Sequence, residues 1–170
     1  GHLNELYNMV SRSKALIKSW VFIDKKQDTP DKLQLKQLHN KEFPELHNTI
    51  NELSQKWDKK ERETYNQIYT AIKDTVFKSH QNIMSSLDNF EDYNDPMVLF
   101  EITPKVEYGG KIITKTDDIL TQISSLRTNI QQKVENSRNE MDVAFNKFEQ
   151  FIVILGISLI IISVIIAVLS

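Results

Sequence analysis

Residues 151–170, FIVILGISLIIISVIIAVLS, form an uninterrupted apolar stretch. The stretch contains no charged residue, Pro, Asn or Gln, and its polar side chains are Ser158, Ser163 and Ser170. A helix rises about 1.5 Å per residue, so these 20 residues cover the roughly 30 Å of hydrocarbon in a bilayer. Serine hydroxyls can bond to the backbone carbonyls of their own helix. The stretch predicts a transmembrane helix, with a buried core helix as the alternative.

The preceding residues, 1–150, have the composition of a water-soluble domain. They contain every charged residue of the chain, 21 Lys and Arg against 23 Asp and Glu, for a net charge of −2. This balance gives no basic excess for a nucleic-acid partner. Cysteine is absent, which excludes disulfides and thiolate chemistry within these residues. We therefore predict two domains, a helical bundle over 1–150 and a transmembrane helix over 151–170.

Apolar residues recur at helical spacing in four segments of the soluble part. The predicted helices span about residues 3–25, 30–57 and 58–90, and a fourth begins at Thr116. The apolar positions of the fourth are Ile119, Ile123, Leu126, Ile130, Val134, Met141, Ala144, Phe148 and Phe151. Four such segments, with only 4 Gly and 4 Pro in 170 residues, predict an all-α antiparallel four-helix bundle. No turn signal follows Thr116, so the last helix is expected to continue into the membrane.

Two local signals mark the second and third helices. Pro44 lacks a backbone donor, so we expect a kink near residues 40–43. Asp58 and Glu61 have the spacing of a capping box, which predicts the start of the third helix. Whether the chain turns sharply there is left open, because no Gly or Pro lies nearby.

Residues 91–115 are expected to be irregular. Asp95-Pro96 predicts one short helical turn, while Pro104 and Gly109-Gly110 break regularity. The segment is nevertheless too apolar for a freely solvated loop. We expect its apolar residues to fold over the end of the bundle; they are Met97, Leu99, Phe100, Ile102 and Val106.

Candidate site residues in the soluble part are few. His39 and His47 lie eight residues apart, but no further ligand follows at close spacing, so we expect solvated or partly buried rings rather than a metal site. Arg12 is a candidate for ligand binding, because a guanidinium can hold a carboxylate with two hydrogen bonds. A solvated surface charge is the alternative for Arg12. No catalytic or cofactor motif is present in the sequence, so we predict neither an enzyme within these residues nor a cofactor.

Small residues form a stripe along the predicted membrane helix. Gly156, Ser163 and Ser170 are seven residues apart, and Ala167 lies four beyond Ser163. Such stripes let a second membrane helix approach closely, so they favour association of membrane helices. Chance placement of small residues is the competing explanation.

This layout resembles the extracytoplasmic four-helix-bundle sensor region of chemoreceptor-like and sensor-histidine-kinase-like bacterial transmembrane receptors. The resemblance rests on the long helices, on the connection EDYNDPMVLFE (91–101), and on VAFNKFEQFIVILGISLIIISVIIAVLS (143–170). It implies a membrane helix before the bundle and a HAMP linker after the last helix. It is a likeness of architecture and includes no ligand-binding motif that maps onto particular residues.

The resemblance implies the ligand-sensing input domain of a receptor in chemotaxis-like or two-component signalling. Such a domain would lie on the extracytoplasmic side of the bacterial inner membrane, with residues 151–170 in the lipid bilayer. It would work as a homodimer, bind a small molecule or a protein, and pass a helix movement to a cytoplasmic output module. Two alternatives stay open: a tail-anchored helical interaction protein, and a pore-forming helical protein.

The small-residue stripe gives a testable prediction. Replacing Gly156 and Ser163 together by Leu should weaken association of the membrane helices, because the bulkier side chains hold the two backbones apart. Disulfide cross-linking between cysteines introduced along the stripe measures this association in the full-length protein. The control is a second double variant, Leu159→Ala with Ile166→Ala. Unchanged cross-linking in the variant with Gly156→Leu and Ser163→Leu would contradict the prediction.

Overall fold

The structure, a computed structural model, describes residues 1–169, with side chains described as far as Ala167. Most of these residues are helical and none is in a strand, so the predicted all-α class is confirmed for the described chain. The helices are α1 (His2–Phe22), α2 (Pro30–Gln37), α3 (Phe43–Ser54), α4 (Lys59–Ala71), α5 (Lys78–Ser86), α6 (Pro96–Val106) and α7 (Lys111–Leu169). The chain divides into two compact units, Gly1–Thr128 and the residues from Asn129 onward.

The first unit has a core made from one apolar stripe of each helix. α1 contacts α2, α3, α5 and α6, and α3 contacts α4. The stripes follow the spacing of three and four residues that the sequence shows, because that spacing puts side chains on one face of a helix. Fully buried core side chains include Leu6, Val10, Ile17, Leu35, Ile50, Ile68, Leu87 and Ile119.

The predicted signals at Pro44 and Asp58 both have structural counterparts. A π-helical turn, Leu38–Glu42, joins α2 to α3, and the amide of Phe43 donates to the carbonyl of Leu38 five residues back. The expected interruption before Pro44 therefore takes the form of a π turn. Asp58 and Glu61 form the predicted capping box at the start of α4. The second and third predicted helices are therefore separate here, because α3 ends at Ser54 and α4 begins at Lys59.

A second π-helical turn, Ile72–Phe77, joins α4 to α5. It contains no proline, and the sequence did not indicate it. Each π turn adds one residue to its helix, so two consecutive side chains face the core in each: Leu38 and His39 in the first, and Val76 and Phe77 in the second. The two turns lie against one another, because Phe77 stacks on His39.

The expectation of an irregular segment over residues 91–115 was wrong. A 3₁₀ turn, Phe90–Asn94, precedes α6, and α7 begins at Lys111 rather than at Thr116. The carboxylate of Asp95 accepts the amide of Met97 and so caps α6, while Pro104 lies in its last turn. A proline near a helix end costs little, because the helix does not continue far enough to need every donor.

The same helix corrects part of the packing prediction. Ile102 and Val106 are buried, as expected. Met97 and Phe100, expected to cover the bundle end, are 78% and 81% exposed. The reason is that α6 is amphipathic: residues four apart share the inward face, so residues 97 and 100 fall on the outward one.

A small cluster of Trp20, Lys32 and Tyr93 ties the 3₁₀ turn to α1. The indole of Trp20 donates to the carbonyl of Leu87 at 3.1 Å, and the Tyr93 hydroxyl donates to the Trp20 carbonyl at 2.7 Å. The Lys32 ammonium lies 4.7 Å from the Trp20 ring centre and 5.0 Å from the Tyr93 ring centre. Burial lowers the pKa of Lys32, and the charge of Asp24 partly opposes that shift. The cluster holds Trp20 in the core, where it is buried.

In the second unit, the described side chains from Gln131 to Ala167 are all exposed. One helical stretch is long and apolar enough to cross a membrane by length and composition, and none of its apolar window is buried inside the chain. Ser158 and Ser163 donate to the carbonyls of Ile154 and Leu159, both at 2.8 Å, as predicted for serines of this helix. Ser170 of the small-residue stripe lies outside the described residues.

The corner between α6 and α7 depends on Gly110. A Cβ atom at this position would lie 2.5 Å from the Pro104 carbonyl oxygen and 2.7 Å from two Lys105 backbone atoms. Neighbouring Gly109 has open space around its Cα but a φ of +78°. The two glycines are therefore needed for different reasons, close approach at Gly110 and backbone conformation at Gly109.

We expect Gly110→Ala to destabilise the chain by about 1–3 kcal/mol, because backbone atoms must move to admit the methyl group. Gly109→Ala should cost about 1–2 kcal/mol, through its left-handed conformation alone. Urea unfolding followed by circular dichroism measures the free energy of unfolding of both variants. Asn66→Ala, at an exposed residue, is the control. A Gly110→Ala variant as stable as the parent would contradict the close approach.

Candidate ligand-binding site

A cavity of about 770 Å³ lies within the first unit, between α6, the start of α7, and the face formed by α5 and the π turn before it. Its volume falls in the range of about 300–1,000 Å³ that small-molecule sites occupy. The wall thus combines residues 75–86 with residues 101–118. This cavity is the candidate ligand-binding site.

The floor of the cavity is aliphatic. Val76, Ile83, Ile102 and Ile112 line it, and each is at most 5% exposed. They belong to the apolar stripes of their helices, so the same spacing that builds the core supplies this surface. The floor can hold an apolar group of a ligand by excluding water from it.

Neutral polar side chains line the wall contributed by α5. Ser79, Asn82 and Ser86 recur at three and four residues and so share one face of the helix. The Ser79 hydroxyl donates to the carbonyl of Thr75 at 2.6 Å, which leaves its oxygen as an acceptor. This wall offers donors and acceptors without charge.

Charged residues line the sides formed by α6 and α7. Glu101 and Lys105 form an ion pair at 2.8 Å, and the hydrogen bond from Lys105 lowers the pKa of Glu101. Lys111, Lys115 and Asp118 have no ion-pair partner within 4 Å among the described residues. The unpaired charges around the cavity are therefore two ammonium groups and one carboxylate.

The π turn Ile72–Phe77 connects this cavity to a stack of aromatic rings. Thr75 and Val76 line the cavity, while Phe77 stacks on His39 at 3.9 Å between ring centres. His39 Nε2 lies 3.3 Å from His80 Nδ1, so one ring donates to the other. Both rings are buried, His39 at 7% exposed and His80 at 0%.

Burial keeps this histidine pair neutral. Desolvation lowers the pKa of His39 from 6.5 to about 4. Desolvation, and then the nearby His39, lowers the pKa of His80 well below 6.5. A charged imidazole would lose its hydration here, and the surrounding core offers little to replace it.

His47 belongs to a neighbouring part of the same aromatic surface. Its ring stacks on Tyr69 at 3.6 Å between centres, and His47 Nδ1 lies 2.8 Å from the Tyr65 hydroxyl. Desolvation, with a smaller contribution from the charge of Lys73, lowers the pKa of His47. No cluster of three or more metal-ligating side chains occurs in the described part of the chain.

The predicted site residues lie elsewhere. Arg12 pairs with Glu42 and is not among the residues that line the cavity. Its proposed contact with a ligand stays a prediction, as does the packing role of Gly156, Ser163, Ala167 and Ser170. The cavity residues were missed because only the first turn of α6 was predicted. The available signal was Lys111 and Lys115, which lie four residues apart beside an apolar segment.

The histidine pair predicts a loss of stability in acid. Above pH 6.5, His39 is neutral in the folded and in the unfolded chain. Below pH 6.5 the unfolded chain binds a proton at His39, whereas the buried ring of the folded chain stays neutral until the pH falls to about 4. Between pH 7 and 5, the free energy of unfolding should therefore drop by on the order of 2 kcal/mol from His39 alone.

Urea unfolding at the two pH values measures this drop. His39→Gln should lose a large part of it, because the amide can still bond to His80 but does not titrate in this range. The exposed substitution His2→Gln is the control and should behave like the parent. An equal drop in parent and His39→Gln would contradict the assignment.

Comparison with known proteins leaves the site to be interpreted from its own residues. No protein-family model matches the chain, and neither the curated proteins nor the solved structures contain a significant match. The resemblance to bacterial sensor regions therefore rests on the layout of helices and on the apolar C-terminal segment.

Proposed function

We propose that the chain is the ligand-sensing input domain of a bacterial transmembrane signalling receptor. The observation that carries the proposal is the composition of α7, Lys111–Leu169. Its first turns supply Lys111, Ile112 and Lys115 to the cavity wall, and its last 20 or so residues are apolar enough to cross a bilayer. One helix thus has both a ligand-facing part and a membrane-compatible part.

The first unit is proposed to be an antiparallel four-helix bundle. Hydrogen bonds between distant segments support this arrangement: Asn4 accepts from Arg127, and Lys14 donates to Asp117, so α1 and the first part of α7 run in opposite directions. Phe43 stacks on Tyr69 and His47 stacks on Tyr65, so α3 and α4 also run in opposite directions. Opposite directions are expected for neighbouring helices joined by short connections.

The apolar part of α7 is proposed to lie in the bacterial inner membrane, with the first unit on the extracytoplasmic side. Uncharged side chains and satisfied serine hydroxyls suit a hydrocarbon environment. The receptor is proposed to work as a homodimer, with close packing along Gly156, Ser163 and Ala167. The lipid bilayer and a second copy of the chain are then its constant partners.

Signal transfer is proposed to begin at the second π turn. A π turn holds one residue more than an α-helical turn, so conversion between them shifts the register of the attached helix. Thr75 and Val76 of this turn line the cavity, so a ligand that contacts them would favour one register. The shift would reach α7 through the shared cavity wall and pass along the helix to a cytoplasmic output module.

A tail-anchored interaction protein is the second candidate. The observation that favours it is the exposed apolar surface of α6, where Met97 and Phe100 are 78% and 81% exposed. Such surfaces often mark contacts with other proteins. The two candidates differ in location, because a tail-anchored domain faces the cytosol and a sensor of this type faces outward.

Cysteine labelling in intact bacterial cells tests the location. The chain contains no cysteine, so a cysteine introduced at Gln67 or Asn48, both exposed, is a specific reporter within it. We expect a small membrane-impermeant maleimide to label either variant of the full-length protein before lysis. The parent protein is the control for background, and labelling only after lysis would overturn the sensor in favour of the tail anchor.

A further inference from the structure

Two lysines without ion-pair partners border the cavity. Lys111 and Lys115 lie four residues apart at the start of α7, and such residues are neighbours on one helix face. Lys115 is half-buried and Lys111 is exposed. Each ammonium can donate up to three hydrogen bonds, and neither ammonium donates a hydrogen bond to another described residue of the first unit.

The acidic residues of the wall do not cancel this charge. Glu101 is paired with Lys105 at 2.8 Å, so that pair is neutral as a unit. Asp118 remains as one carboxylate against two ammonium groups. The balance around the cavity favours an anionic group on a ligand and disfavours a cationic one.

The floor adds a second requirement. Val76, Ile83, Ile102 and Ile112 are aliphatic and buried, and all four are branched at Cβ. A fully hydrated inorganic anion would gain nothing from this surface. An aliphatic group of the ligand would displace water from it, which is favourable in proportion to the apolar area covered.

We propose, building on the proposed sensor function, that the cavity binds an amphipathic carboxylate. The aliphatic body of this ligand would lie on the floor lined by valine and isoleucine, and its carboxylate would be held by Lys111 and Lys115. The neutral side chains of α5 lie across the cavity and can hydrogen-bond to polar groups between the two ends. Lys105 does not bind the carboxylate of the ligand, because its ammonium is paired with Glu101.

Isothermal titration of the full chain in detergent micelles tests the ligand class with four probes. The probes are 4-methylpentanoate, its amide, 3-methylbutylamine and acetate, which vary the charge or remove the aliphatic body. We expect 4-methylpentanoate to bind at least about tenfold more tightly than the other three, and less tightly at high salt, because added ions screen the lysine charges. Tighter binding of the amide or the amine, or no binding of any probe, would overturn the proposal.

Matched variants locate the site. Lys111→Gln with Lys115→Gln should weaken 4-methylpentanoate binding about tenfold or more, whereas the exposed pair Lys56→Gln with Lys60→Gln, also four residues apart, should leave it unchanged. Asn82→Trp, which fills the cavity from its exposed edge, should abolish binding while the circular dichroism melting curve stays close to that of the parent. Equal binding in all variants would place the carboxylate elsewhere and overturn the proposal.

The outcome is separable from that of the proposed function. Cysteine labelling reports the side of the membrane on which the first unit lies and does not depend on any ligand. Preference for the amine would overturn the ligand class and leave the sensor intact. Labelling only after lysis, with carboxylate binding retained, would overturn the sensor and leave the site intact.

Discussion

The missing amide hydrogen of Pro44 is the constraint on which the interior of the first unit depends. In a regular helix the carbonyl of Asn40 would accept that hydrogen, so the chain instead forms the π turn Leu38–Glu42. The extra residue turns His39 into the core beside Leu38. Facing it, a second π turn places Phe77 against the His39 ring. The two irregular turns thus lie against one another through these rings.

The second π turn gives this arrangement a connection to the cavity. Phe77 belongs to the aromatic stack, while its neighbours Thr75 and Val76 border the cavity. The opposite wall is fixed by the close approach of Gly110 to the backbone of α6. A ligand seated between them would touch one wall held by ring stacking and another held by a backbone corner. The cavity and the aromatic stack are therefore adjacent along one π turn, Thr75 and Val76 facing the cavity and Phe77 facing the stack.

The two units bury apolar surface to very different extents. In the first, each helix covers its apolar stripe with its neighbours, so a helix is stable through packing more than through its own propensity. In the second, described side chains from Gln131 onward are exposed, and the final apolar segment carries no polar face at all. Such a helix suits hydrocarbon as its surroundings, because its backbone donors and acceptors are satisfied within the helix.

The sequence by itself determined the helical class, the main helix boundaries and the apolar C-terminal segment. These follow from periodicity and from local signals such as Asp58 with Glu61, which act over a few residues. The start of α6 at Pro96 was predicted but its length was not, and α7 begins at Lys111 rather than at Thr116, because proline and glycine can lie at helix ends as well as interrupt helices. Only tertiary structure decided that His39 meets His80 and that Lys111 borders a cavity with Ile83. Contacts between residues tens of positions apart depend on which helix faces pack together, and periodicity within a helix defines a face without naming its neighbour.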